Sequence, residues 1–198
     1  MPDVTWTHPF LNKLLDLVPK DSRTILDVGC GRGIVGALCK IYLDSKVIWG
    51  IDIFDDYLAF CKEHMPYDNL MKFDLRQGLP NLNMVFDTGI CLEVIEHLEK
   101  SEGQRLLIEM PKVCRKVIVS TPSEFYRQEP YDRNPHQRHL SLWSAKDFEE
   151  MGYTAISGKV PGIRVLGRSI KLISSGLAKF LSDSPRDEWL IAYKESRI

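Results

Sequence analysis

The sequence predicts one α/β domain in which helices cover both faces of a mostly parallel sheet. Short apolar segments alternate with segments of helical periodicity along residues 1–122. Such alternation is typical of parallel strands, because each parallel pair must be joined by a crossover connection. The chain has 198 residues, which is about the length of one domain.

Composition excludes several classes of protein. Lysine and arginine number 26 and aspartate and glutamate 27, so the net charge of −1 excludes a generally basic nucleic-acid binder. Hydrophobic residues make up 44% of the chain, which excludes a disordered protein. No apolar run approaches the ~18 residues of a membrane span, and the N-terminus shows no signal peptide.

Cysteine usage predicts a reduced, cytoplasmic protein. The five cysteines are odd in number and form no C-x-x-C pair. Several lie in apolar segments, where a free thiol behaves as a small hydrophobic side chain. We therefore expect these cysteines to be structural: Cys30, Cys39, Cys61, Cys91 and Cys114.

Strands and helices are predicted in turn along the first half of the chain. Pro9 opens an apolar helix that Pro19 ends. Asp55 and Ser101 are predicted to cap two later helices. The helix that begins at Ile34 is apolar on most sides, so we expect it to be well buried. The strands are predicted at 24–28, 46–52, 70–75, 84–92 and 115–121, and the helices at 9–18, 34–43, 55–63 and 101–113.

The second half of the chain combines a long loop with the helices and strands that complete the domain. Residues 123–142 are rich in Pro, Arg, Gln and His and have little periodicity, and loops of that length are usually functional or disordered. Ser144 is predicted to cap a short helix that stops at Gly152. A sixth strand is predicted at 153–160, a helix with an apolar face at 170–181, and a last strand at 189–193.

A glycine-rich turn follows the first predicted strand. Gly29, Gly31 and Gly33 occupy every second position between that strand and the next helix. Glycine lets the backbone turn tightly and come close to a ligand, and the helix N-terminus behind the turn offers unpaired N–H groups. The second strand ends in Asp52, whose carboxylate can accept hydrogen bonds from two ribose hydroxyls. Asp27, the glycines and Asp52 therefore fit one ligand site.

The same turn satisfies the G-x-G-x-x-G pattern of dinucleotide-binding proteins, through Gly31, Gly33 and Gly36. An NAD-dependent oxidoreductase is therefore an alternative. Asp27 argues against it, because a bare carboxylate repels a pyrophosphate. Beside the cationic sulfonium and ammonium groups of S-adenosylmethionine, the same carboxylate is tolerated or favourable.

These residues resemble the class I S-adenosylmethionine-dependent methyltransferases. The matching segments are ILDVGCGRG (25–33), the acid of IWGID (48–52), FDL (73–75) and FDTGICLEVIEHL (86–98). The resemblance implies a Rossmann-like fold with a seven-stranded sheet whose last strand is antiparallel to the rest. It also implies that residues 1–198 are one methyltransferase domain, with 1–122 as the cofactor-binding half and 123–198 as the substrate-side loop and closing strands.

The resemblance further implies which residues contact S-adenosylmethionine. The glycine turn would line its methionine part, and two acids would meet its amino group and its ribose. The third strand would contribute the adenine site. The residues implied are Asp27, Gly29, Cys30, Gly31, Gly33, Leu92 and Glu93 for the methionine part and its amino group, Asp52 for the ribose, and Ile53, Asp74 and Leu75 for the adenine.

A second cluster follows the fourth predicted strand. Glu93, Glu96 and His97 form E-x-x-E-H, and His139 precedes Trp143 in the later loop. The cluster resembles two subsets of the family, small-RNA 2′-O-methyltransferases and quinone-biosynthesis O-methyltransferases, in which the motif is linked to a metal. Metal-free members carry E-x-x-E-H-L as well, so we do not expect a divalent metal but leave it open. His97 and His139 are the candidate catalytic bases.

The loop at 121–143 is the predicted acceptor side. It resembles the substrate-side loop of small methyltransferases of unassigned substrate. Its aromatic residues could form an apolar lid, and its arginines could meet an acidic substrate. The aromatics are Phe125, Tyr126, Tyr131 and Trp143, and the arginines are Arg127, Arg133 and Arg138.

A basic segment lies at 164–181 and contains no acid. We expect this segment to pack on the domain or on a second subunit, which would make the protein a homodimer. Contact with a membrane surface or an RNA backbone is the alternative. Its cations are Arg164, Arg168, Lys171 and Lys179.

These observations lead us to expect methyl transfer from S-adenosylmethionine to a small-molecule acceptor. The chain has CLEV after its fourth strand, in place of the N/D-P-P-Y/F motif that marks amino methylation of bases. That difference favours oxygen or carbon over base nitrogen as the acceptor atom. A metal-dependent RNA 2′-O-methyltransferase and a cofactor-binding partner subunit without catalysis stay as alternatives.

Overall fold

A seven-stranded sheet organises the chain in the computed structural model, which describes residues 9–43, 47–124, 133–159, 188–196 and 198. The strands, in chain order, are β1 (Thr24–Val28), β2 (Val47–Asp52), β3 (Asn69–Lys72), β4 (Phe86–Leu92), β5 (Cys114–Pro122), β6 (Thr154–Lys159) and β7 (Glu188–Glu195). In space their order is β3-β2-β1-β4-β5-β7-β6. The predicted Rossmann-like architecture is confirmed.

β1 lies at the point where the strand order reverses. It pairs in parallel with β2 on one side and with β4 on the other. The chain therefore builds outward to β3 in one direction and to β5 in the other. In open α/β sheets such a reversal leaves a crevice at the carboxyl ends of the strands, where ligands bind. The glycine turn follows β1 directly into that crevice.

β7 is the antiparallel strand that the sequence predicts. Residues Trp189 to Glu195 pair with Pro122 to Lys116 of β5. On its other side β7 pairs antiparallel with β6, where Glu188 to Tyr193 pair with Lys159 to Thr154. The last strand therefore lies between β5 and β6 rather than at the edge of the sheet.

Helices pack on both faces of the sheet. Leu14, Val35 and Cys39 form one apolar cluster with Ile25 of β1. The next residue, Leu26, belongs to a second cluster, because successive strand residues point to opposite faces. That second cluster also contains leucines and aromatic residues of the later helices. The α-helices in the described ranges are α1 (Pro9–Leu17), α2 (Ile34–Tyr42), α3 (Asp55–His64), α4 (Lys100–Glu109) and α5 (Ala145–Glu150).

Two predicted helix caps are wrong by a few residues. α4 is capped by Glu99, whose backbone N–H donates to Oε2 of Glu102 at 2.9 Å in a capping box. Ser101 therefore lies inside the first turn. Asp55 likewise begins α3 rather than capping it, since Phe54 is the N-cap residue. The Ser144 cap of α5 is confirmed, with Asp147 completing its capping box.

α2 is not buried all round as predicted. Val35 and Cys39 face the sheet, whereas the side chain of Ile41 is 72% exposed and that of Ile34 is 49% exposed. A helix packed on a sheet buries only one face, and an apolar composition does not change that geometry.

β3 ends earlier than predicted, at Lys72. The N–H of Phe73 donates to the carbonyl of Asp52 at 2.9 Å. Asp74 then caps a 3-10 turn, Leu75–Gln77, by accepting from the N–H of Arg76. Asp74 and Leu75 thus lie past the strand rather than within it.

Some predictions fall outside the described residues. They concern Phe125, Tyr126, Arg127 and Tyr131 of the long loop and the basic segment 164–181. Within the described ranges, none of the helices has the length and apolar character that crossing a membrane requires. The five cysteines are buried free thiols, as the sequence predicts.

Candidate active site

The turn after β1 adopts left-handed backbone at alternate residues. Gly29, Gly31 and Gly33 have φ angles of 75°, 52° and 82°, in a region that other residues rarely adopt. Space adds a second constraint at Gly29, where a Cβ would lie 2.3 Å from Cγ2 of Val94. At Gly31 a Cβ would instead meet nothing within 4 Å. The bare backbone of Gly31 is therefore open to a ligand.

Hydrogen bonds fix this turn to the end of β2. The N–H of Gly29 donates to the carbonyl of Ile51 at 2.8 Å. The N–H of Gly31 donates to Oδ2 of Asp52 at 2.8 Å, and the N–H of Phe54 donates to Oδ1 at 2.9 Å. Each carboxylate oxygen can accept two hydrogen bonds. Asp52 therefore positions the turn and keeps acceptor capacity on both oxygens.

Asp27 is almost completely buried at the end of β1, with 1% of the residue exposed. Its Oδ2 accepts a hydrogen bond from the hydroxyl of Tyr67 at 2.5 Å. Burial raises the pKa of Asp27 from an ordinary 3.8 to about 7. The bond from Tyr67 lowers the pKa, the nearby carboxylate of Asp52 raises it, and a backbone hydrogen bond from Gly36 lowers it.

These groups line one cavity of about 480 Å³ at the carboxyl ends of β1, β2 and β4. Its volume is in the range of small-molecule and cofactor sites. Gly33 does not line the cavity; a Cβ there would lie 2.7 Å from Cγ of Met65. The other residues that the sequence assigns to the cofactor all line it, namely Asp27, Gly29, Cys30, Gly31, Asp52, Ile53, Asp74, Leu75, Leu92 and Glu93.

Asp74 and a second 3-10 turn, Pro135–Gln137, form another wall of the cavity. The hydrogen bond from Arg76 is the largest cause of a lowered pKa at Asp74, and the charge of His136 lowers it further. Buried Asn134 caps the second turn by accepting from the N–H of His136 at 3.0 Å. The later loop therefore reaches back to the end of β3.

Glu93 leaves β4 with a φ of 53°, which is uncommon for any residue except glycine. The hydroxyl of Ser120 on β5 donates to Oε1 of Glu93 at 2.7 Å. The N–H of Glu93 in turn donates to the carbonyl of Ser120 at 3.2 Å. β5 thus holds Glu93 in this strained conformation at the edge of the cavity.

The second predicted cluster comes together in space. The rings of His97 and His139 meet in a T-shaped contact with centroids 4.9 Å apart. Ligand atoms of Glu96, His97 and His139 all lie within 4.8 Å of one another. Glu96 is 2% exposed and accepts from Oγ1 of Thr121 at 3.1 Å. His97 also lines the cavity, so the cluster adjoins it.

The hydrogen bonding of His97 defines its tautomer. Its Nδ1 lies 3.0 Å from the backbone carbonyl of Arg138. A carbonyl only accepts, so Nδ1 carries the proton and, in the neutral ring, Nε2 carries the lone pair. Arg138 itself lines the cavity, and its side chain is exposed. It is one of the arginines that the sequence predicts on the acceptor side.

Trp143 is not a lid residue, and that prediction is wrong. The residue is 1% exposed, and its Nε1 donates to Oγ of Ser141 at 2.9 Å. Its ring packs against Phe148 and lies where a side chain at Gly103 would be. Packing under the loop satisfies its large apolar ring better than exposure over a pocket.

Sequence reasoning missed Tyr67, which follows α3 and contacts Asp27. Gly36 and Gly50 were the sequence features that could have indicated a bulky side chain close to the backbone at this place. Each glycine lies outside the tight turn, and a Cβ at either would come within 2.9 Å of the Tyr67 ring. A glycine within a strand often marks such a close approach of another group.

Comparison with known proteins supports the resemblance to methyltransferases that the sequence shows. Residues 25–116 match the family described as "Methyltransferase domain". A "SAM dependent methyltransferase" from Archaeoglobus fulgidus superposes with a TM-score of 0.59 at 21% identity, over 93% of this chain and 91% of that one. At this identity the structural likeness establishes the fold.

By this match and this fold, the chain is similar to class I, S-adenosylmethionine-dependent methyltransferases. Its relatives include the mitochondrial "Ubiquinone biosynthesis O-methyltransferase" of Saccharomyces cerevisiae, 32% identical over 43% of the chain and 28% of the relative. They also include an "Uncharacterized RNA methyltransferase" of Chlamydia caviae, 26% identical over 62% of the chain and 35% of the relative. The matches thus span about a third or less of these relatives' length.

Proposed function

We propose that this methyltransferase domain transfers the methyl group of S-adenosylmethionine to an oxygen or carbon atom of a small molecule. One observation carries the proposal: Asp27, Asp52 and the open backbone of Gly31 line the same cavity as the imidazole of His97. A binding site for the cofactor and a base therefore adjoin each other. The yeast relative, named for ubiquinone biosynthesis, supports an oxygen of a small molecule as the acceptor.

The residues around the cavity suit this cofactor. Asp52 keeps one acceptor position on each oxygen after its bonds to Gly31 and Phe54, as two ribose hydroxyls require. Asp27 places a carboxylate where a cationic amino group would be stabilised. A side chain at Gly31 would project into open space at the cavity, so glycine leaves room there for the ligand.

We assign the adenine to the wall formed by Ile53, Asp74 and Leu75. Ile53 and Leu75 offer apolar surface, and Asp74 offers an acceptor for an exocyclic amine. We assign Leu92 and Glu93, which line the cavity where β4 ends, to the methionine part of the cofactor.

The cofactor, when bound, supplies a methyl group that its sulfonium makes electrophilic. The chain itself aligns the two reactants and excludes water from the cavity. His97 is the candidate base, because its Nδ1–H donates to the Arg138 carbonyl and the lone pair of the neutral ring is then on Nε2. His139 packs against the His97 ring and fixes its orientation.

Calorimetric titration with S-adenosylmethionine, S-adenosylhomocysteine and NADH tests the cofactor. We expect micromolar binding of the first two and none of NADH. Asp52→Ala removes both proposed ribose contacts and should weaken binding roughly a hundredfold. Asp55→Ala, at an exposed carboxylate three residues later, is the matched control and should bind normally.

Three results would contradict this proposal. Binding of NADH alone would favour the oxidoreductase, and unchanged affinity in Asp52→Ala would refute the ribose assignment. Turnover is then measured with phenolic acceptors and with short RNA, and transfer to RNA alone would overturn the small-molecule acceptor.

The Glu96, His97 and His139 cluster supports a second candidate, a metal-dependent RNA 2′-O-methyltransferase. Two imidazoles and a carboxylate are common ligands of divalent transition metals. Metal-bound histidines usually donate their other ring N–H to a carbonyl or carboxylate, as His97 does to Arg138. The Chlamydia relative, named as an RNA methyltransferase, supports this acceptor.

Titration of Mn²⁺ into the protein tests the metal. A metal site predicts saturable binding that His139→Gln abolishes. His136→Gln changes a half-buried histidine of the same loop, outside the cluster, and should bind Mn²⁺ normally. Full methyl transfer in EDTA would remove this candidate.

A further inference from the structure

The ring of Tyr67 fills a slot that three glycines leave open. A Cβ at Gly33, Gly36 or Gly50 would lie 2.9, 2.6 or 2.9 Å from atoms of this ring. These glycines come from the cap of α2, from α2 itself and from β2. Real Cβ atoms essentially never approach so closely, and a larger residue at any of the three would displace the ring.

The loop that carries Tyr67 is fixed on both sides of the residue. The N–H of Tyr67 donates to the carbonyl of Met65 at 2.9 Å. The N–H of Asp68 donates to the carbonyl of Ile48 at 2.9 Å, and the N–H of Ile48 donates to Oδ2 of Asp68 at 2.8 Å. β2 thus clamps the loop, and the tyrosine hydroxyl has a defined position.

That position is against the carboxylate of Asp27. The hydroxyl donates to Oδ2 at 2.5 Å, and a hydrogen bond to an ionised carboxylate stabilises the charged form. The charge needs such help because burial and the nearby carboxylate of Asp52 both raise the pKa of Asp27, while the other bond that lowers it is a backbone hydrogen bond from Gly36. The charge of Asp27 in turn raises the pKa values of Tyr67 and of the thiols of Cys30, Cys39, Cys61 and Cys91.

We propose that Tyr67 is a positioning residue, which orients the carboxylate of Asp27 and favours its charged form for contact with the amino group of S-adenosylmethionine. This inference rests on the proposed function. The hydroxyl of Tyr67 holds Oδ2, and a backbone hydrogen bond from Gly36 also reaches this carboxylate, so the carboxylate cannot rotate freely. Each carboxylate oxygen can accept two hydrogen bonds, so acceptor positions remain for the ligand. Only the amino-acid end of the cofactor would depend on this arrangement.

Tyr67→Phe tests the proposal, because it removes the hydroxyl and keeps the ring in its slot. Binding of S-adenosylhomocysteine is compared with that of 5′-methylthioadenosine, which lacks the amino-acid end, by calorimetry from about pH 6 to about pH 9. We expect S-adenosylhomocysteine to bind roughly tenfold more weakly near neutral pH. The loss should shrink as pH rises and Asp27 ionises, while affinity for 5′-methylthioadenosine stays unchanged.

Tyr153→Phe is the matched control. Its hydroxyl donates to the carbonyl of Leu107 at 2.7 Å in a buried site, so the variant also loses one buried hydrogen bond. It should lower stability without changing either affinity. In an Asp27→Asn background, Tyr67→Phe should add no further loss for S-adenosylhomocysteine, because the charge it supports is gone.

The outcomes separate this inference from the proposed function. If the wild type binds neither ligand, the proposed function fails and the inference fails with it. If the wild type binds both and Tyr67→Phe matches its affinities and pH profile, the inference alone is overturned. Equal losses for both ligands would also overturn it, since they would show a general structural role.

Discussion

Asp27 and Asp87 lie on neighbouring strands, near opposite ends of the same sheet. They differ in the hydrogen bonds that their carboxylates accept. Oδ2 of Asp87 accepts from the N–H groups of Arg23 and Thr24 and from Oγ1 of Thr24, each at 3.0 Å. Its Oδ1 accepts from Arg115 at 2.9 Å. Asp27, in contrast, has the hydroxyl of Tyr67 as its side-chain donor.

The two carboxyls therefore titrate in opposite directions. Burial opposes ionisation of Asp87, but the bonds from Arg23, Thr24 and Arg115 lower its pKa overall. Burial dominates at Asp27 and raises its pKa to about 7. A carboxylate with its hydrogen bonds made within the chain stabilises the fold. One that is only partly compensated, and lines a cavity, is available to a cationic ligand.

The largest expected effect is on stability, in Asp87→Ala. The variant leaves the N–H groups of residues 23 and 24 without their acceptor and removes the partner of Arg115. We expect a loss of about 3 kcal/mol in the free energy of unfolding, measured by urea denaturation. Affinity for S-adenosylhomocysteine should not change. A loss below about 0.5 kcal/mol would show that the Asp87 carboxylate does not stabilise the fold and would contradict the contrast with Asp27.

A smaller, pH-dependent effect is expected in Asp27→Asn, which can still accept from Tyr67. The raised pKa of Asp27 means that the folded wild type binds a proton more tightly than the unfolded chain. Its contribution to stability is therefore present at low pH and lost as pH rises through about 7. From about pH 5 to about pH 8, the variant should gain roughly 2 to 3 kcal/mol relative to wild type. Thermal melts of both proteins across this range provide the measurement, and parallel curves would contradict it.

The smallest effect is expected in Asp74→Asn, which sharpens the comparison at an exposed site. Asp74 pairs with Arg76 at 2.7 Å, and 47% of the arginine side chain is exposed. Exposed ion pairs contribute little because water and salt screen them. We expect a change of less than about 1 kcal/mol in unfolding free energy. A larger loss on chemical denaturation would show that the 3-10 turn depends on this acid.

The sequence predicts the site better than it predicts the contacts that hold it. β1 begins and ends as predicted, and the glycine turn, Asp27 and Asp52 meet at one cavity. These features depend on local rules of periodicity and turn geometry. Tyr67 could not be placed the same way, since it is 40 positions from Asp27 and only the folded sheet joins them.

The errors share a physical cause. Trp143 was predicted over the pocket and lies in the core, and α2 was predicted to be well buried and exposes Ile41. In both cases the prediction used only the apolar character of the side chains. Whether an apolar side chain is buried also depends on which helices and strands pack against it. The approach of His139 to His97 was easier to anticipate, because both follow strands that end at the same edge of the sheet.

The order of the strands also affects how the chain folds during translation. β5 pairs over seven positions with β7, and β6 pairs with β7 within the described residues. The ribosome therefore releases β6 before the strand that attaches it to the sheet exists. Until residues 188–195 emerge, β5 presents a row of unsatisfied backbone groups, which is a template for aggregation. Any nascent chain that stops before Glu188 should depend on chaperones to stay in solution.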